Sequence, residues 1–119
     1  MFDNCNTHFD NILIAEFVSR RGKENNHLFF IRTEEKWISQ NNLKYDIDWN
    51  WLMDALKKAD ELYGTKISIQ HGSFTIGTKE LNVGSSNFCE SETVDALHKT
   101  IYTAFVFYIK EYNKRKKNE

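Results

Sequence analysis

Proline is absent from this 119-residue chain, and glycine occurs only five times. A long flexible linker has no composition to be made from, and no internal repeat divides the chain. The expectation is one domain over residues 1–119, with about the first eight residues and the basic end 114–119 frayed. An excess of one charge is also lacking: 16 Lys and Arg stand against 17 Asp and Glu, a net −1. Nothing global therefore favours a nucleic-acid partner. Long hydrophobic runs are missing too. The longest, residues 101–109, is interrupted by Thr103 and falls far short of the ~20 residues that span a bilayer. The first ten residues have neither the basic start nor the apolar stretch of a signal peptide, so a soluble, cytoplasmic protein without membrane attachment is expected.

Chemistry-bearing patterns are equally sparse. Cys5 and Cys89 lie far apart and outside any CxxC or metal spacing; they read as two free intracellular thiols, with a single disulfide as the alternative. None of His8, His27, His71 and His98 forms a His-x-x-x-His ligand pair. Gly72, Gly77 and Gly84 are too dispersed for a phosphate loop. Cys5, His8 and Asp10 contain the residue types of a nucleophile, base and orienter, crowded where no second layer of contacts holds them. Asp46 and Asp48 form a carboxylate pair, but Asp48 already serves as a helix cap. No catalytic residue, cofactor or metal is expected.

What is present is an apolar content of 40% with nine Phe, five Tyr and three Trp, enough for a core without staples. A first helix is predicted over about 9–18, capped by Thr7 with Asp10 three residues on, and with Phe9, Ile12, Leu13 and Phe17 at helical spacing. Arg20-Arg21-Gly22 ends it. Leu28-Phe29-Phe30-Ile31 has strand character, residues 33–38 read as a helical turn or a surface excursion, and Gln40-Asn41-Asn42 as a turn. Leu43, Tyr45 and Ile47 then alternate as in a half-buried strand.

The second helix is the clearest element. Asp48 caps it, Leu52, Ala55, Leu56, Ala59, Leu62 and Tyr63 form one stripe, and Gly64 closes it. Trp49 and Trp51, roughly 200° apart, flank the stripe. Residues 65–76 read as a β-hairpin turning at Gly72, and 77–87 as a loop or ragged edge strand. A last helix starts near Ser91, with Glu92 and Asp95 in its first turn, and runs to about Tyr112. Its wide apolar face leaves Phe107 on the polar side.

Three phrases carry a resemblance: Asn11-Ile12-Leu13-Ile14-Ala15-Glu16-Phe17, Asp48-Trp49-Asn50-Trp51-Leu52-Met53, and the helix ending Ala104-Phe105-Val106-Phe107-Tyr108-Ile109-Lys110-Glu111-Tyr112-Asn113. Together, over residues 11–113, they resemble the phage ABA-sandwich domain family, short proteins of phages and prophages, many from Bacteroidetes-type hosts. The chain departs from that pattern in a longer 22–45 segment and in Asp54, where a proline often follows in relatives. The resemblance implies helices packed on a sheet and a phage-related origin in a bacterial cytoplasm, and it implies no activity.

The fold expected is α+β, about three helices packed in layers on a small, mainly antiparallel sheet. Lys114, Arg115, Lys116 and Lys117 form the one strong charge run and read as a solvated helix end, with only a weak pull towards nucleic acid. Phe29, Phe30 and Trp37 in the irregular segment, and Phe107 on a polar helix face, are the candidate partner-binding residues, because aromatics supply large contact area at low entropy cost. The alternative for the first three is that they complete a core. The function expected is a non-enzymatic binding protein of phage or prophage origin that occupies a host or phage protein, such as an inhibitor of a host defence like a CRISPR effector. Two alternatives stand beside it: a homo-oligomeric phage accessory or structural protein, and a protein that sequesters a small nucleotide signal.

Overall fold

The computed structural model describes residues 4–70, 73–78, 82–85 and 94–117, with side chains described for 7–68, 75–78 and 98–117. The described elements run α1 (Asn4–Val18), β1 (Leu28–Ile31), β2 (Lys36–Ser39), a 3-10 turn (Gln40–Asn42), α2 (Trp49–Tyr63), β3 (Lys66–Gln70), β4 (Ser73–Gly77), β5 (Asn82–Ser85) and α3 (Val94–Lys117). The protein is α+β, with three helices and antiparallel strands. Those strands fall into two sheets, β1-β2 and β3-β4-β5. The chain divides into two compact units, Met1–Ala59 and Asp60–Glu119, the division falling within α2.

In the first unit, α1 is helical from Asn4, where a frayed start is expected. Its buried face also differs from the sequence expectation. Asn11, Ile14, Ala15 and Val18 are buried together with Phe17, whereas Phe9 is 68% exposed. Apolar residues occur almost all round this helix, so spacing alone does not select a face. Asn11 is the reason a polar residue sits on the inner side. Its amide donates to the Leu43 carbonyl at 3.2 Å and to Asp46 Oδ1 at 2.9 Å, tying α1 to the segment before α2. That segment is a turn and not the expected strand. The Ile47 and Asp48 amides both donate to the Lys44 carbonyl, so Leu43 and Tyr45 stay buried and Ile47 swings out to 72% exposure. The alternation that suggested a strand is real only for its first two members.

β1 and β2 pair in register Leu28↔Ser39 to Ile31↔Lys36, so residues 36–39 are a strand and not a helical turn. The stretch after α1 lies along the other edge of β1. Phe30 N donates to Arg20 O and Gly22 N to Leu28 O, both at 2.9 Å, and Arg21 bridges Phe29. A Cβ at Gly22 would meet the Asn25 carbonyl oxygen at 2.5 Å, so glycine is needed there for close approach. α2 begins as predicted: Asp48 Oδ1 accepts from the amides of Asn50 (2.9 Å) and Trp51 (3.3 Å). Trp51, Leu52, Ala55, Leu56 and Ala59 are its buried residues, and Leu62 and Tyr63 at the far end are exposed. Gly64 closes the helix at φ +71°, its amide on the Asp60 carbonyl.

In the second unit, β3 pairs with β4 from Lys66↔Gly77 to Gln70↔Ser73, and β4 with β5 from Phe74↔Ser85 to Gly77↔Asn82. The 77–87 segment thus contributes an edge strand. α3 touches β4 and β5. Its residues Ile101, Tyr102, Ala104, Phe105, Val106, Tyr108 and Ile109 are buried, as is Ile76 of β4. The Tyr108 hydroxyl is 3.1 Å from Thr65 Oγ1, a hydrogen bond between two buried groups. α3 stays helical through the basic end to Lys117, where fraying is expected. The predicted turn at His71-Gly72, Leu81, the cap Ser91 with Glu92, Cys89 and the Cys5 side chain lie outside the described residues.

Candidate functional site

The alternation of a strand sorts the aromatic segment into two roles. Phe29 and Ile31 face inward and are buried; Phe29 has no exposed surface. This corrects the assignment of Phe29 as a partner contact: it is core, with the Arg21 guanidinium 4.7 Å from its ring centroid. Phe30 faces the other way. Opposite it across the ladder is Trp37, 41% exposed, with ring centroids 5.5 Å apart and planes at 71°, an edge-to-face pair. Phe107 lies in the second unit on α3, 51% exposed between buried Val106 and Tyr108.

Sequence reasoning missed Arg20. Its backbone is held along the edge of β1 by Phe30, and its guanidinium carbon stands 5.6 Å from the Phe30 centroid and 5.5 Å from that of Trp37. Both lie within the ~6 Å at which a cation is attracted to a ring face. Arg21 is paired with Glu16 at 2.8 Å and donates to the Asn26 carbonyl, whereas Arg20 has no carboxylate partner among the described residues. The result is an exposed cation pre-oriented by two aromatic rings. The two-residue offset of Arg20 from Gly22 was the available signal, and it becomes readable only once β1 pairs with this stretch.

Arg20 borders two hollows of the first unit. One is an open groove lined by Arg20, Arg21, Lys23, Glu24, Leu28 and Trp37 among others. The second is a cavity of about 260 Å³ whose polar lining is Arg20, Arg32, Lys58, Asp54, Ser19 and Thr33, and whose apolar lining includes Phe30, Tyr45 and Trp51. Three cations there face one carboxylate. Asp54 is already engaged: Arg32 Nε lies 3.1 Å and 3.3 Å from its two oxygens, and Arg32 Nη2 lies 2.9 Å from Oδ1. Such a forked pair fixes both side chains. Tyr45 stacks edge-on against Trp51 at 5.3 Å, and its hydroxyl is 3.4 Å from Ser19 Oγ. Burial, with a smaller contribution from Asp54, pushes the Tyr45 phenol up to about 12 against the Ser19 hydrogen bond, so it is neutral at pH 7. Trp51 is 2% exposed, and its Nε1 has no hydrogen-bond partner among the described residues.

The other sequence candidates have structural work. Asp46 accepts from Asn11 and Asp48 caps α2, so neither is poised as an acid or base. His8 packs edge-on against Phe9, and His98 is buried in α3. Lys114–Lys117 form the last turn of α3, where cations complement the helix dipole, and Lys114 approaches Glu111 at 3.7 Å. Among the described residues no group of three or more His, Cys, Asp and Glu could hold a metal ion, and no helix is long and apolar enough to cross a membrane. Comparison with protein-family models, with curated proteins and with solved structures finds no match to this chain.

Proposed function

We propose that this protein is a non-enzymatic binding protein of phage or prophage origin that acts by occupying a partner protein, in the manner of an inhibitor of a host defence such as a CRISPR effector. The observation that carries the binding role is the Arg20–Phe30–Trp37 cluster: an arginine without a carboxylate partner among the described residues, set over two contacting rings on an exposed ribbon. Arginine and tryptophan are the residue types that most often dominate interface energy, and a cation already positioned loses little entropy on binding. Arg20 and Lys23 make the adjoining groove suited to an acidic partner surface. An interface of ~800 Å² on this side, about a tenth of the 7816 Å² surface, suffices for a stable complex. The phage origin and the bacterial cytoplasm come from the resemblance carried by residues 11–17, 48–53 and 104–113.

A plaque assay tests the whole reading. Expression in a CRISPR-immune bacterial host should restore plaquing by a targeted phage, Arg20→Glu and Trp37→Ala should abolish the rescue, and Phe107→Ala should keep it. Failure to rescue removes the anti-defence role, and equal rescue by the Arg20 and Trp37 variants removes this surface.

One observation favours a second reading. Phe107 is half exposed in the middle of α3, where a self-interface of a homo-oligomeric phage protein would use it. The nucleotide-sequestering alternative has no phosphate loop in the sequence to support it.

A further inference from the structure

We infer that the cavity beneath Arg20 is a binding site for a small aryl or alkyl carboxylate of about ten non-hydrogen atoms. Three features of the first unit converge on that class of ligand. The volume, about 260 Å³, corresponds to roughly nine water volumes and so to a body of about that many heavy atoms. The lining carries Arg20, Arg32 and Lys58 beside one carboxylate, Asp54, to which Arg32 is bound, and Arg20 has no carboxylate partner among the described residues. The walls are apolar and partly aromatic, from Val18, Phe30, Ile31, Tyr45, Trp51 and Ala55.

A carboxylate supplies acceptors only, which suits a lining whose excess is of donors. Tyr45 does not compete for the charge, because its phenol is held by Ser19 and stays neutral. The flat body of an aryl acid then lies among the aromatic walls, and Arg20, its guanidinium carbon 5.6 Å from the Phe30 centroid, closes the charged side. The chemistry would be the same for a free acid and for the C-terminal phenylalanine of a polypeptide.

The site is separate from the open groove, since Lys58 and Trp51 line the cavity and not the groove. Its test therefore needs no partner protein. Nuclear magnetic resonance of the full chain gives one indole signal for each of Trp37, Trp49 and Trp51, assigned with Trp37→Phe, Trp49→Phe and Trp51→Phe. Phenylacetate should shift the Trp51 signal with a Kd on the order of 0.1–1 mM, as expected for about ten heavy atoms. Phenylacetamide, the neutral molecule of the same shape, should bind at least about tenfold more weakly, because it loses the charge-assisted hydrogen bonds. Lys58→Met and Arg20→Gln should each weaken phenylacetate by a similar factor, with far-ultraviolet circular dichroism checking that each variant is folded. A short peptide ending in phenylalanine forms the second arm: binding by the peptide but not by phenylacetate assigns the site to polypeptide C-termini. No Trp51 shift with either probe at ~20 mM, or equal shifts by acid and amide, overturns the inference.

Discussion

Tyr45 gives the sharpest test of how the first unit is built. Its ring is buried against Trp51, and its phenol is pushed up to about 12 from an ordinary value near 10. The neutral form is thus the one the folded state accepts. Below pH ~10 the phenol is neutral in both states and its contribution is fully present. As pH rises past the unfolded value the unfolded chain ionises first, and stability is lost until pH reaches the folded value. The rise from 10.0 to about 12 makes ionisation roughly a hundredfold harder in the folded state, which is worth about 2.7 kcal/mol. All of that is lost between about pH 10 and 12. Tyr45→Phe keeps the ring and removes the ionisation. It also removes the Ser19 hydrogen bond, which at 3.4 Å is long and worth about 0.5–1 kcal/mol. The variant should therefore be less stable than wild type at pH 8, equal to it near about pH 10.5, and more stable above that. Urea denaturation followed by far-ultraviolet circular dichroism at a series of pH values measures both curves. Lysine titration and other alkaline losses are shared by the two proteins and cancel in the difference. Parallel curves up to about pH 11.5 would refute the assignment, because they would mean that the phenolate is solvated in the folded state.

Two further outcomes are expected. Asp48→Ala removes the acceptor for the Asn50 and Trp51 amides and should lower stability by about 1 kcal/mol, or Tm by roughly 3–5 °C, in a calorimetric scan; an unchanged Tm would show that another group caps α2. Light scattering after size-exclusion chromatography should give the 14.1 kDa monomer at every concentration tested, as the partner-occupying reading requires; a larger species that Phe107→Ala returns to monomer would instead establish the homo-oligomer.

The parts of the fold that were legible are those in which several local signals agree. For α2 a cap, a stripe and a terminal glycine point to one helix, and Asp48, Leu52–Ala59 and Gly64 take those places. The β3–β4 hairpin shows its alternation in Ile67, Ile69, Phe74 and Ile76. α1 was legible as a helix and not as a face, since Ile12, Leu13, Ile14, Phe17 and Val18 leave no polar side wide enough to orient it. Its inner side was chosen by Asn11, whose two hydrogen bonds reach 32 and 35 residues along the chain. A contact of that range has no local signature. The 43–47 turn failed for a related reason. Alternation over three residues describes a strand only if a neighbouring strand completes the ladder, and here the Lys44 carbonyl closes a turn instead.

The candidate site shows the same division more severely. In an unbroken apolar run, composition cannot say which of Phe29 and Phe30 points inward; pairing with Arg20–Gly22 on one side and β2 on the other decides it. Arg20 by sequence is a cation ending a helix, and it becomes a candidate recognition group only because that pairing places it over Phe30 and Trp37. It borders both hollows, so under the two proposals its substitution should weaken acid binding in the cavity and partner binding at the groove alike. The two roles are separated by residues that belong to one hollow each. Lys58 lines the cavity without lining the groove, and Trp37 lines the groove without lining the cavity. A protein that loses acid binding on Lys58→Met and keeps its partner has two independent sites. One that loses both functions on either substitution uses the cavity to hold an acidic group of the partner itself, and the two surfaces are then one.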